Sequence, residues 1–249
     1  MRRGHRPSAP ASGRPRLWGR HAVIAALANP ARDVRRVWGT REALAAFGGF
    51  PGHIPVTYAD VADLGRLVPH DAPHQGVVIE VDPLPDIWLG DLLADGARDG
   101  DRRPLVVLDQ VTDPHNVGAV LRSAAAFDAL GLVTQDRHAP PESGALARAA
   151  SGALETVPWV RVVNLARALD EIAEAGFWRI GLTGAAPRML GEAVGTARVA
   201  LVLGAEGEGM RANTEAHCDE LARLPISAKV ESLNVSNAAA IALYATAVR

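Results

Sequence analysis

The chain has 249 residues, with 26 Lys plus Arg against 28 Asp plus Glu and 48% hydrophobic residues, enough for one large domain or two small ones around ample core. The near-neutral charge does not by composition announce a nucleic-acid binder, and no apolar run reaches the ~18 residues of a membrane span. The single cysteine, Cys218, excludes an internal disulfide and a multi-cysteine metal site, so neither metal nor membrane is expected and a reducing cytoplasm fits.

The opening stretch "MRRGHRPSAPASGRPR" lacks the apolar middle of a secretory signal and reads as a disordered basic tail over 1–16. "LWGRHAVIAAL" reads as a short turn followed by an apolar helix. "VRRVWGT" and "PVTYA" suggest strands, with a helix around Arg41–Phe47 between them. "DVADLGRLV" suggests a further helix, and the β-branched run of "HQGVVIEV" a strand. These elements make a small α/β unit over 17–82. A Pro-, Gly- and Asp-rich segment over 83–103 follows as a linker carrying one short helix.

From Pro104 the pattern becomes regular over 104–249. "LVVLD", "LGLVTQ", "TVPWVRV", "WRIGLTG", "VALVLG" and "LARLPI" read as short buried strands. Helices are expected at Val117–Asp128, Leu146–Ala153 and Leu165–Ala175. Alternation of this kind predicts an α/β fold with a parallel sheet covered on both faces. Its ligands should lie outside the carboxyl ends of the strands.

Three clusters could carry chemistry. In "LDQVTDPHNVGAVLRSAAAF", Asn116 is placed to cap a helix whose core face is Val117, Val120, Leu121 and Ala124, while Arg122 lies off that stripe. Alone, this reads more readily as an ordinary cap with a surface arginine, since capping sequences abound. In "LVLGAEGEGM" a strand runs into a glycine-rich turn that carries Glu206 and Glu208. Acids beside a close-approach backbone disfavour a triphosphate and suit a ligand that is neutral or positive there, such as a sulfonium or an amine. The order G-x-x-G-x-G is a poor dinucleotide fingerprint. In "LPISAKVESLNVSNAAAIALYATAV" the polar residues Ser232, Asn234, Ser236 and Asn237 crowd before an Ala-rich helix. One of them suffices as the cap, which leaves the others for another use. Leu233 between them could line an apolar pocket, and the small residues of the helix permit close packing internally or against a second subunit.

Taken together, Asn116-Val-Gly118 with Arg122, "LVLGAEGEGM" and "LPISAKVESLNVSNAAA" resemble the three ordered motifs of the SpoU/TrmH family of S-adenosylmethionine-dependent RNA ribose 2′-O-methyltransferases, members of the SPOUT class. "GRHAVIAAL" and "HQGVV" further resemble the subfamily that methylates a guanosine of 23S-type ribosomal RNA. The resemblance implies an N-terminal RNA-binding domain of L30e-like fold. It also implies a C-terminal methyltransferase domain tied in a deep trefoil knot, an exception to the rule against threading, and a homodimer. By motif position the methyl donor would be held around Gly204, Gly209, Leu224, Ile226 and Leu233. Arg122 would act on the ribose hydroxyl, with Asn116, Glu206, Ser232 and Asn234 positioning it. A guanidinium is effectively always protonated, so the expected role of Arg122 is to stabilise the developing alkoxide and not to take its proton. A dinucleotide-dependent enzyme, a transfer-RNA methyltransferase of the same family and a catalytically silent RNA-binding protein are the alternatives. The Lys229 and Glu231 of "ISAKVES" depart from the small residues common in relatives and bear on substrate choice.

Overall fold

The computed structural model describes residues 13–97, 100–227 and 229–248. The N-terminal unit runs β1 (Arg16–Trp18), α1 (Arg20–Ala28), β2 (Val34–Gly39), α2 (Arg41–Ala45), β3 (Val56–Tyr58), α3 (Val61–Leu67) and β4 (Val77–Val81). Its sheet has the order β1-β4-β2-β3, with β4 antiparallel to β1 and β2 and β3 parallel to β2. The expected turn at Leu17 and Trp18 is a strand instead: Leu17 pairs with Ile79 and Trp18 with Val78. Three residues are too few to show an alternation in sequence, and their partners lie far along the chain. Most of the expected tail, residues 1–12, falls outside the described residues; Arg14 ion-pairs with Asp82 at 2.6 Å.

Helix α1 starts after Gly19, whose φ of 87° suits glycine and which has no side chain to cap with. The cap comes from elsewhere: Gln75 Oε1 accepts from the Arg20 N–H at 2.8 Å. Thus "GRHAV" and "HQGVV", far apart in sequence, are neighbours.

The chain continues with α4 (Leu89–Asp95), β5 (Leu105–Leu108), α5 (Pro114–Ala126), β6 (Gly131–Gln135), α6 (Gly144–Ala150), β7 (Trp159–Val162), α7 (Leu165–Glu174), β8 (Phe177–Leu182), β9 (Arg188–Met189), α8 (Leu190–Ala193), β10 (Arg198–Leu203), α9 (Ala212–Glu215), β11 (Glu220–Arg223) and α10 (Val235–Ala247). The sheet order is β7-β6-β5-β10-β8-β11-β9, and every pairing is parallel. Both faces are buried, as the continuous apolar strands require. Val106, Leu108, Leu201 and Leu203 pack with α5 and α10 on one face, while Leu105, Val107, Ala200 and Val202 pack with α4 and α7 on the other. Helix α6 begins at Gly144, two residues before its expected start, because Ser143 caps it by accepting from Leu146 N at 3.4 Å. The short elements β9, α8 and α9 have too few residues to show a period.

The two units share one apolar core cluster. A fully buried guanidinium, Arg32, joins them: Nη2 donates to Glu155 at 2.7 Å, Nη1 to the Asp82 carbonyl at 2.9 Å, and Nη1 also meets the Glu142 carboxylate. Removing one member of such a group would leave an uncompensated buried charge. Gly144 permits the close approach of α6 to β1, since a Cβ there would lie 2.0 Å from the Trp18 ring. No helix among the described residues is long and apolar enough to cross a membrane.

Candidate active site

Three loops at the carboxyl ends of the parallel strands meet: the one after β5, the one after β10, and the one between β11 and α10. Their junction is a single side-chain amide. Asn234 Nδ2 donates to Asn116 Oδ1 at 2.9 Å and to Glu206 Oε2 at 3.2 Å, while its Oδ1 caps α10 by accepting from Ser236 N at 2.9 Å and Ser236 Oγ at 2.6 Å. Both ends of the amide are therefore used, and one residue from each of the three sequence clusters is in direct contact.

Asn116 is not the cap of its helix. Asp113 caps α5 by accepting from His115 N at 3.0 Å, with Pro114 in the first turn, where a missing N–H is tolerated. The two residues compete for the same orphan N–H groups. Asp113 followed by proline starts the helix earlier and frees Asn116 to face Asn234. The core stripe Val117, Val120, Leu121 and Ala124 is buried as expected, and Gly118 joins it. A Cβ on Gly118 would lie 2.5 Å from the Leu146 carbonyl oxygen, so this glycine serves the packing of α5 on α6.

The glycine loop closes on itself. Ala205 and Gly209 exchange two backbone hydrogen bonds, Ala205 N to Gly209 O at 3.1 Å and Gly209 N to Ala205 O at 2.9 Å. Gly207 and Gly209 take φ of 82° and 72°, a region that costs other residues strain. Gly204 has no room for any side chain: a Cβ would lie 2.0 Å from the Gly209 carbonyl carbon. Glu206 and Glu208 are exposed, and Glu206 reaches back to Asn234.

Arg122 is exposed on α5, with no hydrogen bond or ion pair among the described residues. Ser232 is likewise exposed and without a hydrogen bond, two residues before Asn234. Leu224 and Leu233 are half-buried; Ile226 is exposed, its N–H bonded to the Leu224 carbonyl at 2.9 Å. The structure therefore joins Asn116, Glu206 and Asn234 by direct contact and leaves Arg122 and Ser232 unengaged.

One element at these strand ends, the Asp109–Arg211 pair, was not expected from the sequence. Asp109, fully buried at the end of β5, accepts from Arg211 N at 2.9 Å, Arg211 Nη2 at 2.6 Å and Arg211 Nε at 2.9 Å. Arg211 Nη2 also donates to Gln135 Oε1 at 2.7 Å. This pair pins the exit of the glycine loop to the ends of β5 and β6. The only hint is an acid ending a continuous apolar strand, which must find a partner if buried. Cys218 packs behind the same loop, and burial pushes its thiol up to about 12, which makes it inert near neutrality.

The donor set fits S-adenosylmethionine. Backbone at Gly204 and Leu224 stands at strand carboxyl ends and Leu233 just before α10, the half-buried leucines offer an apolar wall, and the two exposed loop carboxylates suit a sulfonium.

The chain is similar to known proteins over most of its length. The SpoU rRNA methylase family matches residues 103–244, and the family described as RNA 2′-O ribose methyltransferase substrate binding matches residues 16–86. The 23S rRNA (guanosine-2′-O-)-methyltransferase RlmB of Pseudomonas aeruginosa is 37% identical over 240 residues, covering 92% of this chain and 94% of that protein. An uncharacterized tRNA/rRNA methyltransferase of Synechocystis is 39% identical over 242 residues, covering 92% of this chain but only 61% of that longer protein. The SpoU methyltransferase AviRb of Streptomyces viridochromogenes, at 22% identity, shares the fold with a TM-score of 0.79 over 95% of this chain and 90% of its own. The chain belongs to the SpoU rRNA methylase family.

Proposed function

We propose that this protein transfers a methyl group from S-adenosylmethionine to the ribose 2′-hydroxyl of a guanosine in 23S-type ribosomal RNA. It is an S-adenosylmethionine-dependent RNA methyltransferase of the SpoU family. The observation that carries the reading is the Asn234 amide holding Asn116 and Glu206 together at the strand ends. When bound, S-adenosylmethionine supplies an electrophilic methyl carbon on a sulfonium. Gly204, Gly209, Leu224, Ile226 and Leu233 would hold it.

The chain's own residues then have two tasks. Aligning the 2′-oxygen behind the reacting carbon can contribute up to ~7–11 kcal/mol; the Asn116–Asn234–Glu206 group, with Ser232, serves that positioning. The hydroxyl proton must also leave, because a neutral alcohol is a weak nucleophile. Arg122, whose exposed guanidinium has no partner among the described residues and sits on the helix that bears Asn116, stabilises the developing alkoxide and grips the neighbouring phosphate. DNA lacks the 2′-hydroxyl and is no substrate.

Assembly and location belong to the same proposal. Ile241, Tyr244 and Val248 at the C-terminal end are 43%, 56% and 62% exposed, while Ala239, Ala242 and Leu243 are buried within the chain. An apolar face of this kind suits a second copy, so the protein is read as a homodimer. A trefoil knot in the C-terminal unit and a cytoplasmic location are part of this reading. Residues 17–82 are taken as the RNA-binding domain, 83–103 as the connection and 104–249 as the methyltransferase domain.

The test is transfer of labelled methyl groups to unmodified ribosomal RNA and to transfer RNA, followed by mapping of the modified ribose. A single 2′-O-methylguanosine in 23S-type RNA is expected. Methylation confined to transfer RNA would move the substrate, and none on either RNA would remove the enzymatic reading.

A further inference from the structure

Most arginines of the N-terminal unit are neutralised by carboxylates: Arg14 and Arg35 by Asp82, Arg16 by Glu80, Arg32 by Glu142 and Glu155, and Arg66 by Asp63. Among the described residues, no ion pair neutralises Arg20, Arg36 or Arg41. All three are exposed; Arg36 lies over the Trp38 ring, while Arg20 and Arg41 line two hollows that border α2. The first, of about 280 Å³, is lined by Arg20, His21, Phe47 and Gln75. The second, of about 440 Å³, is lined by Thr40, Arg41, Tyr58, Asp60 and Asp63. Gly76 lets α2 sit close between them, since a Cβ there would lie 2.9 Å from the Ala43 Cβ.

The wall of the second hollow has an unusual composition. Strand β3 is the edge of its sheet, and all three of its residues are exposed. Tyr58 is 62% exposed, and the Arg41 guanidinium stacks on its ring at 4.6 Å from the centroid. A ring flanked by a cation that makes no ion pair among the described residues offers a nucleobase both a stacking face and a charge for its phosphate. Of the two carboxylates nearby, Asp63 pairs with Arg66 at 2.7 Å, while Asp60 caps α3 by accepting from Asp63 N at 2.7 Å and keeps its charge.

We propose that Tyr58 and Arg41 form a stacking site for an unpaired base of the RNA substrate, with Arg20 across α2 taking the backbone of the same strand. The proposal rests on the RNA-methyltransferase reading above and deepens it: the substrate presents single-stranded nucleotides to the N-terminal unit, not only a duplex read by shape.

The test uses the full chain, measuring affinity for a labelled fragment of unmodified ribosomal RNA and, separately, for S-adenosylmethionine. Tyr58→Ala is expected to weaken RNA binding by about five- to a hundredfold, the range for loss of one base–aromatic stack, without changing the affinity for S-adenosylmethionine. Tyr58→Phe keeps the ring and should retain most of the RNA affinity, and Arg41→Glu should lose more than Arg41→Ala. Unchanged RNA affinity in Tyr58→Ala overturns the proposal. So does an alanine variant that binds naked RNA normally and fails only on ribosomal particles, because the surface would then meet a protein. If the parent chain neither binds nor methylates RNA, the functional reading itself fails, a result separable from the first.

Discussion

Asn234 donates its side-chain amide N–H to the Asn116 side-chain oxygen Oδ1 at 2.9 Å, across 118 residues of sequence. The same amide holds Glu206 through its nitrogen and the first turn of α10 through its oxygen. Helix start and site assembly therefore depend on one residue, yet they use opposite ends of its side chain.

That division can be separated by substitution. Asn234→Asp retains the capping oxygen, and folding stability should stay close to the parent, whereas Asn234→Ala loses the cap at a cost of about 1 kcal/mol. Both lose the donor that joins Asn116 to Glu206, and the aspartate adds repulsion against Glu206. We expect kcat to fall about a hundredfold in both. Thermal denaturation alongside single-turnover methyl transfer checks this; an aspartate variant with normal turnover would remove the donor from the chemistry.

The Arg122 side chain is exposed and makes no hydrogen bond or ion pair among the described residues, so its substitution should leave the fold intact. Arg122→Ala is expected to lower kcat by about a hundredfold or more, with Arg122→Lys recovering part of the loss because the charge remains. Calorimetric affinity for S-adenosylmethionine should be unchanged in both. An equal loss of cofactor affinity in the two variants would take Arg122 away from the ribose.

Two glycines of the motifs should fail differently. A methyl on Gly204 would meet loop backbone at 2.0 Å, so Gly204→Ala must open the 204–209 turn and abolish cofactor binding. Gly118→Ala instead forces α5 from α6 and should cost about 1–3 kcal/mol of stability, the usual range for overpacking. Denaturant midpoints and cofactor titration of both variants distinguish the cases. Normal cofactor binding by Gly204→Ala would contradict the assignment of that loop.

The Asp109–Arg211 pair is unequally exposed, with a side chain fully buried on the acid and 37% exposed on the base. Arg211→Ala strands a buried carboxylate and should cost about 3–5 kcal/mol. Asp109→Ala leaves a guanidinium that water can reach and should cost less. Urea unfolding of the two variants gives the order, and the reverse order would count against the burial argument.

Acid should act through Asp219. Hydrogen bonds from Arg179 hold this carboxyl below its ordinary value. The unfolded chain therefore takes up the proton first, at about pH 3.9. The stabilisation is complete above that pH and is lost as pH falls through the lower folded value. Asp219→Asn should be less stable than the parent near neutrality, with the gap narrowing in acid. A gap that is constant with pH would show that the pair does not titrate with folding.

The parallel sheet with helices on both faces was legible from the alternation of "LVVLD", "LGLVTQ" and "VALVLG" with apolar-striped helices, because burial on both faces demands continuous apolar strands. Asn116, Glu206 and Asn234 stand out through the resemblance to three ordered motifs, since each one alone is equally accounted for as an ordinary cap or turn residue. The Asp113 cap on α5 also had a local signal, because Pro114 beside it marks a first helical turn. Tertiary structure alone decided the rest. The strand at Leu17 and Trp18, the Gln75 cap on α1, and the Arg211 that neutralises Asp109 all depend on partners remote in sequence. Local periodicity records which face of a segment must be buried, but not which distant group will meet it there.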